Sequence, residues 1–374
     1  MSEHEGATRA TVLVTGGSGF IAGHCILRLA ASGFRIRATL RSLAKEEAVR
    51  ASLESAGLPE DAILEFAQAD LMGDDGWAEA TAGVDDVLHV ASPVMPGHVE
   101  DESKVIVPAR EGTLRVLRAA RDAGVRRVVL TSAFHADSWG HPNSDHVFTE
   151  EDWTVLDGPG ADAYARSKTI AERAAWQFVR DEAPSLELVT MLPVGVMGPV
   201  IGRDVSGANE VVLHMLTGQI PAFPHLFIPV VDVRDVAAAH VLALGVPGAA
   251  GQRFLLSNGP ALELREIGDV VRQQLGERAS RVPTRTLPNV VVRLGGLFSP
   301  SLRALVPDLG HAKATSNAKA VGLLGWTPRD PREAILAAAE SMVAKGLVDL
   351  REWPCPAATR LGLVSRGPHR YAPD

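Results

Sequence analysis

The feature that most constrains this chain is an alternation in its first half. Six short runs rich in β-branched residues (10–16, 34–40, 62–70, 84–92, 125–132 and 186–193) are bounded by Gly, Asp or Pro. Between them lie longer stretches such as "FIAGHCILRLAASG" and "VIVPAREGTLRVLRAARDAG", with apolar residues three and four apart and a closing Gly. Strands separated by helices cannot pair as hairpins, so the series predicts a parallel, doubly wound α/β sheet with helices on both faces.

After residue 194 the rhythm breaks into Pro- and Gly-rich pieces and shorter apolar runs, which predicts a smaller C-terminal substrate-binding lobe over 194–349. Within it, 228–244 reads as strand then helix and is expected to return to the main sheet. Residues 1–9 read as a short disordered arm without the apolar centre of a secretory signal, and 350–374 as a tail. Hydrophobic residues make up 46% and charged residues 22%, an ordinary globular composition. The net charge of −8 comes with no basic run, which argues against a nucleic-acid partner. No apolar stretch approaches the ~18 residues of a membrane helix. Cys25 and Cys355 are too far apart in sequence for a CxxC site. A cytoplasmic monomer or homodimer is expected.

"TVLVTGGSGFIAGH" places Gly16, Gly17 and Gly19 between the first strand and the first helix. Backbone N–H groups at such a helix start point outward, and the helix dipole favours negative charge, so the loop suits the pyrophosphate of a dinucleotide; residues 10–193 are therefore expected to form a dinucleotide-binding domain. A tight turn without a ligand is the competing reading. Arg41 ends the second strand, where NAD binding would call for an acidic residue; a cation there suits the 2′-phosphate of NADP(H). Lys45 could reinforce it, Arg37 lies further from the mouth, and Asp70 with Leu71 is expected at the adenine edge. Thr15 and Ile21, flanking the glycines, belong to the same set of expected cofactor contacts.

Tyr164 and Lys168 are one helical turn apart in "DAYARSKTIAE", in a chain with only two tyrosines. Reducing a carbonyl by hydride transfer leaves charge on oxygen that a proton must quench. A phenol next to an ammonium is expected to move towards the working pH, and Lys168 could also hydrogen-bond the nicotinamide ribose. The end of the fifth strand, "VVLTSAFHADSWG", offers Thr131 and Ser132 as hydroxyl partners for the substrate oxygen.

Taken together, "VLVTGGSGFIAGH", "RATLRS", "AQADL", "VLHVASPV", "YARSKTIAE", "LPVGVMGP", "VVDVRDVAAAH" and "LGWTPRDPREAI" resemble the extended short-chain dehydrogenase/reductases, specifically the dihydroflavonol-reductase-like group of NADPH-dependent aldehyde and ketone reductases. The resemblance covers roughly residues 10–345 and implies a Rossmann-type fold. It makes Tyr164 the proton donor and Lys168 its partner, lines the pyrophosphate with Gly16, Gly19 and Phe20, borders the cofactor with Ala91 and Ser92, and puts Pro193 and Val196 by the nicotinamide. It also exposes a departure: the family's catalytic serine falls on Ala133. Ser132 is taken as its replacement, with Thr131, a water or His135 as alternatives.

Phe134, His135, Trp153, Met197, Phe223 and Phe227 are expected around the mouth at the carboxyl ends of the strands, where they would suit an apolar or aromatic carbonyl or alcohol substrate. His135, His141 and His146 share a loop but match no metal-ligand spacing, so no metal is expected. Two other readings stand beside the reductase: an NAD-dependent hydroxysteroid dehydrogenase or sugar-nucleotide epimerase, and a non-catalytic NADP(H)-binding redox sensor.

Overall fold

The structure is a computed structural model that describes residues 10–92 and 101–348. The expected arm (1–9) and tail (350–374) lie outside the described residues. Seven parallel strands form the main sheet: β1 (Thr11–Val14), β2 (Arg35–Leu40), β3 (Leu64–Gln68), β4 (Asp86–His89), β5 (Arg127–Thr131), β6 (Glu187–Pro193) and β7 (Arg253–Leu256). Their spatial order is β7-β6-β5-β4-β1-β2-β3. The chain therefore winds outward in both directions from β1 and β4, and the crevice between those two strands is where a doubly wound sheet takes its ligand. Val12, Leu13 and Val14 have no exposed surface, as expected of a strand covered on both faces.

All six β-branched runs became strands of this sheet. β7 was not foreseen; it pairs with β6 from Arg253↔Thr190 to Leu256↔Pro193. The expected return of 228–244 needs correction. Its strand, Val230–Asp232, pairs with Gly195–Met197 outside the main sheet, and only the helix that follows comes back to the body.

That helix, α4 (Val233–Gly245), packs against α1 (Phe20–Ala31) on one face through residues such as Ile26, Leu29, Val236 and Ala243. On the other face α2 (Ser103–Asp122) packs against α3 (Ala163–Glu182), with Leu117, Val128 and Phe178 in the shared core. Arg127 is 2% exposed and fastens α4 to the sheet. Its guanidinium donates to the carbonyls of Ala243, Leu244 and Val246 at the helix C-terminus, groups that an α-helix leaves without internal partners. A separate apolar cluster, including Met215, Phe223, Ile267 and Ile335, fills the C-terminal half. Among the described residues no helix is long and apolar enough to cross a membrane.

Candidate functional site

The glycine loop lies at the exit of β1, in the β1/β4 crevice. Gly16 has φ 71°, and a Cβ there would come within 2.9 Å of the Ala91 Cβ, so backbone conformation and the approach of the β4 exit both demand glycine. Thr15 joins the two lips: its Oγ1 accepts from Ala91 N at 2.9 Å and lies 2.9 Å from His89 Nδ1. The other ring nitrogen of His89, Nε2, is buried without a partner among the described residues. Thr39, which sequence reasoning missed, accepts from Gly16 N at 3.0 Å. Gly19 is the N-cap of α1 and supplies no side-chain cap, and the first turn of α1 carries no acidic residue. The tip at Ser18 and Gly19 is exposed, and Phe20 and Ile21 are half-buried behind it. An uncapped helix start of this kind fits a pyrophosphate.

Arg41 follows directly on β2 and is exposed, as is Lys45 at the end of the next helical turn. Arg37 is engaged elsewhere: it donates to the Ala80 and Ala82 carbonyls and pairs with Glu65. The β3 exit runs alongside, since Ala69 N donates to Leu40 O at 3.0 Å. Asp70 turns its carboxylate to Met72 N at 3.0 Å, and Leu71 O accepts from Arg115. Ala91 and Ser92 are half-buried on the other side of the loop, Pro193 is buried at the end of β6, and Val196 is half-buried just beyond.

Tyr164 and Lys168 occupy the first two turns of α3. Asp162 caps this helix by accepting from Ala165 N at 2.7 Å, which fixes the phenol at the helix entrance. The Lys168 ammonium lies 5.8 Å from the centre of the Tyr164 ring. Among the described residues neither the phenol hydroxyl nor the ammonium has a hydrogen-bond partner. Burial pushes the phenol up to about 12, with the Asp162 charge adding to it. Burial also brings Lys168 down to about 8, against the pull of Glu172. The expected descent of the phenol towards neutrality is therefore not what the protein alone gives, because desolvation and the Asp162 charge both raise it. A protonated phenol is nonetheless the form that can donate.

The hydroxyls at the end of β5 are both committed. Ser132 Oγ donates to Glu172 Oε2 at 2.6 Å. Thr131 Oγ1 lies 2.7 Å from His240 Nε2. His240 Nδ1 is 2.8 Å from the Val236 carbonyl and must donate to it, so Nε2 accepts and the threonine gives up its one proton. Ser132 as partner of the substrate oxygen is thus corrected: its single proton serves a buried carboxylate, because its strand position turns it away from the Ala133 side. Glu172 is the residue that sequence reasoning missed. It also accepts from Thr190 at 2.8 Å and Arg253 Nε at 2.8 Å, and so ties α3 to β5, β6 and β7 one turn beyond Lys168. The spacing Tyr164, Lys168, Glu172 was the available signal.

The expected pocket residues separate. Phe134 is 1% exposed and Met197 and Phe223 are 0% exposed; all three are core side chains without surface to offer a ligand, and their placement at the mouth is corrected. Trp153 is half-buried between Arg253 and Arg173, with the Arg253 guanidinium 3.7 Å from its ring centre. Phe227 is half-buried beside His225. His135 alone of the set touches the pair, its ring centre 4.9 Å from that of Tyr164. His141 lies against Phe148 and His146 binds Asp152; no group of three possible metal ligands occurs among the described residues.

The model of the NAD dependent epimerase/dehydratase family matches residues 12–256. The chain belongs to that family. This epimerase/dehydratase-family chain is 31% identical over 304 residues to "Ketoreductase azaE" of Aspergillus niger, covering 76% of this chain and 88% of the relative. It is 32% identical over 261 residues to "Dihydroflavonol 4-reductase" of Zea mays, covering 67% and 70% respectively. The crystal structure of Gre2 from Candida albicans in complex with NADPH superposes with a TM-score of 0.72 at 26% identity, covering 90% of this chain and 99% of that one. The likeness to dihydroflavonol-type reductases read from the motifs is borne out by these relatives.

Proposed function

We propose that the protein is an NADPH-dependent reductase of aldehydes or ketones, able to run in reverse on alcohols, with Tyr164 as proton donor. The observation that carries this reading is the Tyr164–Lys168 pair: a half-buried phenol and a buried ammonium, one turn apart and unsatisfied by any described residue. The ketoreductase named among its relatives and the NADPH complex of Gre2 support it. NADPH bound by the α1 amides, with its 2′-phosphate at Arg41 and Lys45, would supply the hydride. Lys168 holds the nicotinamide ribose and keeps a positive charge beside the phenol. Tyr164 protonates the carbonyl oxygen as charge develops there. An apolar or aromatic carbonyl suits the half-buried aromatic ring of His135 next to Tyr164.

Assaying a panel of aliphatic and aromatic aldehydes and ketones with NADPH and with NADH tests this directly. Turnover with a clear NADPH preference is expected; a preference for NADH overturns the cofactor assignment. Arg41→Asp removes a charged hydrogen bond of about 1.5–3 kcal/mol, so the KM for NADPH should rise about 10–100-fold while that for NADH stays or falls.

A pH dependence follows from Lys168. Its folded value of about 8 lies below its ordinary one, so the cation is present below pH 8 and lost as pH rises through it. The kcat/KM for reduction should decline across that step, since this parameter reports groups of the free enzyme. In Lys168→Arg the step should vanish, because a guanidinium keeps its charge; a profile unchanged in the variant would assign the step to another group.

A further inference from the structure

Two hydroxyls stand at the end of β5, and both have given their protons to buried acceptors, Ser132 to Glu172 and Thr131 to His240. Position 133 is an alanine. The strand therefore delivers no free hydroxyl to the oxygen that Tyr164 would protonate. The next residues along the chain form a single turn, Phe134–Ala136, and this turn swings the side chain of His135 back against Tyr164.

The His135 ring is held by an unusual support. It stacks on Trp139 with ring centres 3.6 Å apart and planes 17° from parallel. The Lys313 ammonium lies 3.5 Å from the centre of the same indole. An imidazole and an ammonium that close cannot share one face of the ring, so Trp139 is clasped between them. The imidazole also meets Tyr164 steeply tilted, at 75° and 4.9 Å between centres. Stacking thus fixes the plane of the imidazole, yet neither of its nitrogens is hydrogen-bonded to a described residue. A half-buried ring that is immobilised, polar and unsatisfied, in contact with the proposed acid, is arranged to act on whatever that acid acts on.

We infer that His135 donates a ring N–H hydrogen bond to the substrate's carbonyl oxygen, taking the part for which no hydroxyl remains. The inference rests on the reductase reading above. In the step itself hydride from the nicotinamide cofactor forms a C–H bond at the carbonyl carbon, and the π pair of C=O moves to oxygen. That oxygen takes the phenolic proton of Tyr164, while His135 keeps its own proton and steadies the developing charge. Burial and the charges of Lys313 and Lys168 lower the imidazole to about 3. It is therefore neutral in use, with one donor nitrogen and no tendency to compete with Tyr164 as acid.

His135→Phe retains an aromatic ring to stack on Trp139 and removes the donor; His135→Asn retains a donor and removes the ring. Losing one donor to a developing oxyanion costs about 10²-fold in kcat, which is the fall expected for His135→Phe, with smaller loss in His135→Asn. NADPH affinity and Tm should stay close to wild type in both. In the NADP⁺ complex, binding of an amide analogue that cannot accept hydride should weaken about five-fold in His135→Phe, as for one lost hydrogen bond. Wild-type kcat in His135→Phe overturns the inference, and so does equal loss in both variants, which would trace the effect to ring shape. If instead Tyr164→Phe turns over normally, the reductase reading itself fails. Full activity in His135→Phe alongside an inactive Tyr164→Phe removes only the imidazole from the account.

Discussion

Tyr164→Phe is expected to lower kcat for carbonyl reduction by about 10²–10⁴-fold, the range for removing a positioned general acid, while NADPH binding and Tm hardly change. The substitution deletes a hydroxyl that has no described partner, so nothing in the fold depends on it. The ring remains to contact His135, and α3 keeps its Asp162 cap. An intact fold with a dead chemical step is the signature sought, and steady-state kinetics beside a fluorescence titration of NADPH would read it. Retained turnover would mean that another group, or water, supplies the proton.

The second large effect belongs to Glu172, which is 1% exposed and accepts from Ser132, Thr190 and Arg253. Glu172→Ala would leave the buried Arg253 guanidinium without its carboxylate. Breaking a buried ion pair by removing one partner costs about 3–5 kcal/mol, a fall in Tm of about 4–6 °C for a chain of this size. Calorimetric unfolding checks the expectation, and an unchanged Tm would show that water or the nearby carboxylates compensate. Asp137 makes that outcome worth examining. It lies near Arg253, and burial pushes it up to about 9, so it is protonated at neutral pH while Glu172 stands in place. Asp137→Asn should accordingly be far milder than Glu172→Ala.

How far the sequence could be read follows from which forces are local. The six β-branched runs, the glycine loop and the Tyr164–Lys168 spacing each depend on neighbours within a turn or a strand, and each was legible. β7 was not, because "RFLL" is short and opens on a charged residue whose partner, Glu172, is 81 positions away. Ser132 was misassigned for the same reason: strand alternation shows that it differs from Ala133, but not that a carboxylate waits on its side. Phe134, Met197 and Phe223 were placed at the mouth by chain position alone. Their burial is decided by how the second apolar cluster and the Phe134–Phe148 contact assemble, which no local pattern records. The charge balance at the phenol is similar in kind. Spacing announces an ammonium nearby, whereas the opposing desolvation exists only once α3 is packed against the sheet.

In the proposed reaction hydride passes from NADPH to a carbonyl carbon while Tyr164 supplies the proton to oxygen. The protein and its Tyr164→Phe variant would be incubated with 4,4-dideuterated NADPH and a reducible aldehyde, and the product alcohol analysed by mass spectrometry. One deuterium on the former carbonyl carbon per cofactor oxidised is expected in the wild-type reaction, and a yield about 10²-fold or more lower with the variant. Bound cofactor with no deuterated alcohol, or equal yields from both proteins, would contradict it.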